Sequence, residues 1–214
     1  MQTIPKPSEL LLTRRPLIAE EARFAEMVRG WATASRLPSG PVTTIATDGA
    51  FSRRAGGGSF AWVSEGGSFG AERAVSGSSF HAELIAIDEA IREQPQFSRL
   101  RLLVDCRQAL EAVTLVLAQP PARRERTDAV ERRLVSIANA GAKREVELEW
   151  VRGHSGHPLN DAADRIAVLL RRSETWGTES DVATDLAASI ARGAAARFSP
   201  QVTAAGLVND RRER

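Results

Sequence analysis

Trp150-Val151-Arg152-Gly153-His154-Ser155-Gly156-His157-Pro158-Leu159-Asn160-Asp161-Ala162-Ala163-Asp164 reads as the end of a strand, a histidine loop flanked by glycines, and a helix carrying acids. Gly153 and Gly156 free the backbone on both sides of His154. Pro158 suits a first helical turn, where its missing N–H costs nothing. Asp161 and Asp164 then fall at helical spacing on one face. A histidine beside a fixed carboxylate suits proton transfer next to a metal. Three upstream acids complete the pattern.

Those acids are Asp48, Glu83 and Asp105. Asp48 follows Val42-Thr-Thr-Ile-Ala-Thr47, a β-rich run that predicts a strand with Asp48 at its C-terminal end. Asp105 ends a second strand, Leu100–Val104, of the same grammar. Glu83 lies in a helical stretch in which Leu84, Ile87 and Ile91 line one side. Open α/β sheets place their sites at the carboxyl ends of strands. Two acids from strand ends and two from helices can therefore meet in one pocket.

A cluster of this kind can hold divalent cations, and one chemistry such cations serve is hydrolysis of a phosphodiester. Two divalent cations about 3.5–4 Å apart can activate water and stabilise the leaving oxygen of an in-line displacement. Mg²⁺ is hard and prefers oxygen ligands, so carboxylates are expected where softer metals would call for thiolates. Crowded acids repel and raise one another's pKa unless a cation is present. His154, with an ordinary pKa of about 6.5, can exchange protons near neutrality.

The chain resembles the type 1 ribonuclease H family in Thr47-Asp48-Gly49, His81-Ala82-Glu83-Leu84, Val104-Asp105-Cys106, and Gly153-His154-Ser155-Gly156 through Asn160 to Asp164. The resemblance spans roughly residues 42–171. It implies an α/β fold, a ribonuclease H-like mixed five-stranded sheet flanked by helices, with extra N- and C-terminal helical segments. It implies a metal-dependent endoribonuclease that cuts the RNA strand of RNA–DNA hybrids, leaving 5′-phosphate and 3′-hydroxyl ends. Carried over by position, Asp48, Glu83, Asp105 and Asp164 bind two Mg²⁺ ions, with Mn²⁺ as a substitute, and His154 is the family's mobile histidine. Asp161 falls where a secondary acid is often found.

The chain also departs from the family. Phe51-Ser52-Arg53-Arg54 stands where a polar, glycine-rich loop usually reads the RNA 2′-OH. Ser78, Ser79 and Phe80 replace amides ahead of Glu83. Arg107, followed by Gln108, occupies the neighbourhood of a common glutamine. Fewer amides weaken the reading of the 2′-OH, and more arginines strengthen the grip on phosphates. Arg53, Arg54, Arg107, Arg123, Arg124 and Asn160 are the expected nucleic-acid contacts. The Arg123–Arg126 segment, with Arg132 and Arg133 beyond it, sits where some members carry a basic protrusion. Its interleaved Glu125, Asp128 and Glu131 also fit a solvated helix face. Other readings keep the fold but cut double-stranded RNA or branched DNA, or make the domain a non-catalytic binding module.

Composition sets the outer bounds. The chain has 214 residues, 43% of them hydrophobic, and a formal net charge of +2. That suits one core with appendages, and it excludes a polycation. Among 29 Lys and Arg only Lys6 and Lys143 are lysine. Arginine forks suit phosphate, although a compositional bias is the simpler explanation. Cys106 is the one cysteine, which suits a reducing compartment. No apolar run approaches the ~20 residues that span a bilayer, and no secretory segment is evident. A soluble, cytoplasmic monomer is expected.

The expected organisation is an N-terminal extension, 1–41, with an amphipathic helix from Leu17 to about Ser35; a catalytic domain, 42–172; and a C-terminal extension, 173–214. The last is helical over 181–196, with Val182, Leu186 and Ile190 as its apolar stripe, then loosely ordered. The terminal helices could pack on the core, on each other or on a protein partner. His81 is expected at a helix start, His157 as a cap or packing residue, Cys106 as a small buried side chain, and Trp62 and Trp150 as packing residues.

Overall fold

A computed structural model of the chain describes residues 38, 40–54, 57–74, 76–120, 128–173 and 179–198. The helix expected over 17–35, the arginines of 123–126 and the tail beyond 198 lie outside these.

Five strands and five helices make up the described chain: β1 (Val42–Ser52), β2 (Gly57–Ser64), β3 (Phe69–Ala74), α1 (Ser79–Arg92), β4 (Arg99–Val104), α2 (Arg107–Ala118), α3 (Ala129–Gly141), β5 (Glu145–Trp150), α4 (Pro158–Ser173) and α5 (Ser180–Arg197). The sheet runs β3-β2-β1-β4-β5. The hairpin strands pair antiparallel, and β1–β4 and β4–β5 pair parallel. This is the mixed five-stranded, ribonuclease H-like sheet that the sequence implies.

Local signals set the boundaries. The Ser78 hydroxyl accepts from the His81 N–H and caps α1. Asp128 caps α3 by accepting from the N–H groups of Val130 and Glu131. Gly67, at φ +83°, makes the tight turn between β2 and β3. Pro158 opens α4.

Strand alternation sends neighbouring residues of β1 to opposite cores. Ile45 joins Leu84, Ile87, Leu102 and Ile137 beneath α1, α2 and α3. Ala46 joins Ala61, Val63, Leu103 and Ile166 beneath α4 and α5. On the first side, Arg133 of α3 pairs with the fully buried Asp88 and with Glu89, both on α1. Arg133 is thereby committed to helix packing and not to a nucleic-acid protrusion. Arg144 donates to the carbonyls of Ala140 and Gln94 and so closes the ends of two helices. No helix among the described residues is long and apolar enough to cross a membrane.

Helix α5 buries only part of the expected stripe. Ala183, Ala187, Ala191 and Ala194 are buried, the last three in the second core with Ile190 packed against it, whereas Val182 and Leu186 are 53% and 51% exposed. Small side chains let α5 lie close to α4 and to the β2–β3 turn, where a Cβ on Gly67 would come within 3.4 Å of the Ala195 side chain and 3.7 Å of the Arg192 backbone. Bulk reads as core in a sequence, but here closeness of approach decides. Leu186→Gln should therefore shift unfolding free energy by less than about 0.5 kcal/mol. Ala187→Leu should cost about 1–3 kcal/mol by overpacking. Urea denaturation of both variants checks the assignment; the reverse ranking would contradict it.

Candidate active site

The parallel ladder between β1 and β4 ends at the pair Thr47–Val104. The next residue on each chain is an aspartate, so Asp48 and Asp105 emerge side by side. Asp48 does not end its strand, as the sequence suggested. β1 continues to Ser52 because β2 keeps pairing with it as far as Gly57. The acid sits where one ladder stops and the other goes on.

Glu83 arrives from α1 by close contact. A Cβ on Gly49 would run into the backbone of Ala82 and Glu83, so only glycine lets the helix rest there. The Gly49 N–H in turn hydrogen-bonds the Glu83 carboxylate. Asp48, Glu83 and Asp105 consequently place carboxylate oxygens within 4.8 Å of one another. Asp164, on α4, stands outside that tight group, yet its charge acts on both Asp48 and Glu83.

The histidine loop closes the other side. A Cβ on Gly153 would lie 2.8 Å from Asp105 Oδ2. His154 adopts a left-handed backbone, φ +52°, which is uncommon for a residue with a side chain. Its ring is 82% exposed, with Nδ1 3.6 Å from Asp164 Oδ2. His157 caps α4: its carbonyl accepts from the Asp161 N–H at 2.9 Å, and its Nδ1 from the Asn160 N–H at 3.4 Å.

Asn160 has a different task from the expected one. It is only 1% exposed, and its Nδ2 donates to Asp105 Oδ2 at 3.2 Å. Burial leaves it no surface for a duplex, so it orients an acid. Arg53 and Arg54 are exposed on the turn after β1. Arg107 is exposed beside Asp105, its guanidinium 4.5 Å from the centre of the Trp150 ring. Trp150 is 42% exposed, and its Nε1 donates to the Asp105 carbonyl. The sequence reading missed this support of the aspartate. Register carries the signal, since Trp150 pairs with Val104, the residue before Asp105.

Charge crowding marks the cluster. Burial first, then the charges of Asp105 and Asp164, push Asp48 up to about 7. Burial, then Asp48 and Asp105, push Glu83 up to about 9 against the opposing Gly49 hydrogen bond. One Glu83 oxygen, Oε2, is buried with no hydrogen-bond partner. An all-oxygen donor set with an orphaned buried oxygen and mutual repulsion fits a hard divalent cation.

Residues 41–171 match the family model described as RNase H. The chain belongs to the RNase H family. A ribonuclease H of Methylorubrum extorquens (strain PA1) is 31% identical over 165 residues, covering 71% of this chain and 70% of that protein. A ribonuclease H of Granulibacter bethesdensis is 45% identical over 35 residues, 16% of this chain and 23% of that protein. Membership supports ribonuclease activity, and the acidic cluster is compatible with the divalent metal that RNase H proteins generally use. Helix α5 lies beyond the matched segment.

Raised carboxyl pKa values have a definite sign. The folded chain holds these protons more tightly than the unfolded chain, so the associated stability is full below the ordinary carboxylate range. It drains as pH climbs through about 7 and then about 9, by on the order of 1 kcal/mol per pH unit for each group titrating. In EDTA the urea midpoint of the native chain should fall from pH 5 to pH 9 more steeply than that of Glu83→Gln. Added Mn²⁺ should restore the native chain at pH 8 and have little effect at pH 5. Parallel pH curves for the two proteins would contradict this electrostatic account.

Proposed function

We propose that residues 42–172 form an endoribonuclease that hydrolyses the RNA strand of RNA–DNA hybrids, with Asp48, Glu83, Asp105 and Asp164 holding Mg²⁺ or Mn²⁺. The convergence of three carboxylates within 4.8 Å carries this reading. Two bound divalent cations would supply charge stabilisation to the attacking and leaving oxygens of an in-line displacement.

The chain's own groups have separable tasks in this scheme. Asp48 and Glu83 give up their protons when the cations bind, which makes binding weaker at low pH. The Gly49 N–H and the Asn160 amide fix the orientation of Glu83 and Asp105. His154, exposed and facing Asp164 through Nδ1, assists water delivery or product release. Arg107, braced on Trp150, meets a backbone phosphate beside the scissile bond, and Arg53 and Arg54 meet phosphates farther along. Arg123 and Arg124 belong to the same proposed phosphate track, although they lie outside the described residues. The exposed arginines and the missing amides favour grip over 2′-OH reading, which is what separates RNA from DNA, so branched DNA competes alongside double-stranded RNA as the alternative substrate.

The purified chain in Mg²⁺ is expected to cut labelled hybrid and to spare RNA duplex and DNA duplex. Asp105→Asn and EDTA should each bring cleavage to background. Asn160→Ala, which frees the Asp105 carboxylate, should lower the rate about 10–100-fold, as loss of a ligand-orienting contact does. Equal cleavage of RNA duplex would move the substrate assignment. Full activity of Asp105→Asn would remove the cluster from the chemistry.

A further inference from the structure

We infer that Phe198, at the end of α5, is a positioning residue for the histidine loop, so that the C-terminal helix is a working part of the active site. This rests on the hydrolytic reading of the same site and adds to it an element beyond the matched segment, which ends at residue 171.

The contacts form a continuous path. The Phe198 N–H donates to the carbonyls of Ala194 and Ala195, which fixes the residue to the last turn of α5. Its ring centre lies 5.8 Å from that of His157, with the planes at 52°. That separation lies within the ~4.5–7 Å range of interacting aromatic rings. His157 receives the Asn160 N–H on Nδ1 and the Asp161 N–H on its carbonyl, so it holds the first turn of α4. Asn160 holds Asp105. Between His157 and His154 lie only Ser155 and Gly156, and Gly156 is at φ +88°.

The loop needs such a brace. Residues 154–156 are exposed, and two positive φ values within three residues give the chain little internal support. The alanine stripe of α5 seats the helix firmly on the second core. The loop is thus propped from a rigid element. The stripe and the aromatic residue that follows it serve one purpose: the helix lies close enough for its last side chain to reach the cap of α4.

Phe198→Ala and Phe198→Tyr in the full chain test this. Amide hydrogen exchange without metal or substrate is followed for residues 153–161 and for the sheet, and steady-state cleavage of hybrid is followed in Mg²⁺. In Phe198→Ala, exchange in 153–161 should rise about tenfold while β1 and β4 stay protected. The kcat should fall about tenfold with KM within twofold, the scale of one aromatic pair. Phe198→Tyr should restore both. Unchanged exchange in 153–161 would overturn the inference. So would a rise spread evenly over the sheet, which marks a merely structural residue, or a loss in KM alone. If the native chain cleaves no hybrid, the hydrolytic reading fails, and the exchange pattern still decides whether Phe198 braces the loop.

Discussion

Repulsion among carboxylates that the backbone will not let separate is the constraint around which this structure is organised. Asp48 and Glu83 are almost wholly buried, and their oxygens lie with those of Asp105 inside a 4.8 Å group. In water such charges would spread apart. Here a glycine under a helix, the end of a parallel ladder and an asparagine amide hold them in place. The result is a site whose carboxyls are pushed well above the ordinary carboxylate range, first by burial and then by one another.

The scaffold explains why the cluster stays together. Two helical layers clamp the sheet, and each delivers one acid: α1 brings Glu83 and α4 brings Asp164. Asp48 and Asp105 come from adjacent strands whose pairing stops one residue earlier. Supporting groups then fix individual oxygens or backbone atoms. Trp150 takes the Asp105 carbonyl, Gly49 donates to Glu83, and His157 organises the turn that presents Asn160. Most of these supports are not themselves acids, and their value lies in preventing the acids from relaxing away from one another.

Much of this was legible in the sequence, for a physical reason. Strand and helix periodicity reflect burial, so the strands that lead to Asp48 and Asp105 and the helix carrying Glu83 follow from the residue pattern, and the five-stranded sheet from the family resemblance. The residues quoted from the histidine loop also carry their own backbone signals, and Pro158 does open α4. What escaped were properties set by contact between distant segments. Asp48 reads as a strand end, because only the pairing with β2 reveals that β1 continues. The stripe of α5 reads as Val182, Leu186 and Ile190, of which Ile190 packs on the core and the other two stay exposed, because alanine gives no hint that close approach is needed. Asn160 reads as a nucleic-acid contact, whereas it is buried and its partner is a carboxylate 55 residues away. Arg133 reads as part of either a basic protrusion or a solvated helix face, and its pairing with the buried Asp88 fits neither.

The claim at the centre is that these particular carboxylates are held together to receive a cation. Anomalous diffraction from crystals soaked in Mn²⁺ at pH 8 tests it without reference to turnover. The account predicts a peak at bonding distance from oxygens of Asp48, Glu83 and Asp105, absent from an Asp48→Asn crystal treated alike. Mn²⁺ bound elsewhere on the protein, with that space empty and the three side chains unmoved, would contradict it.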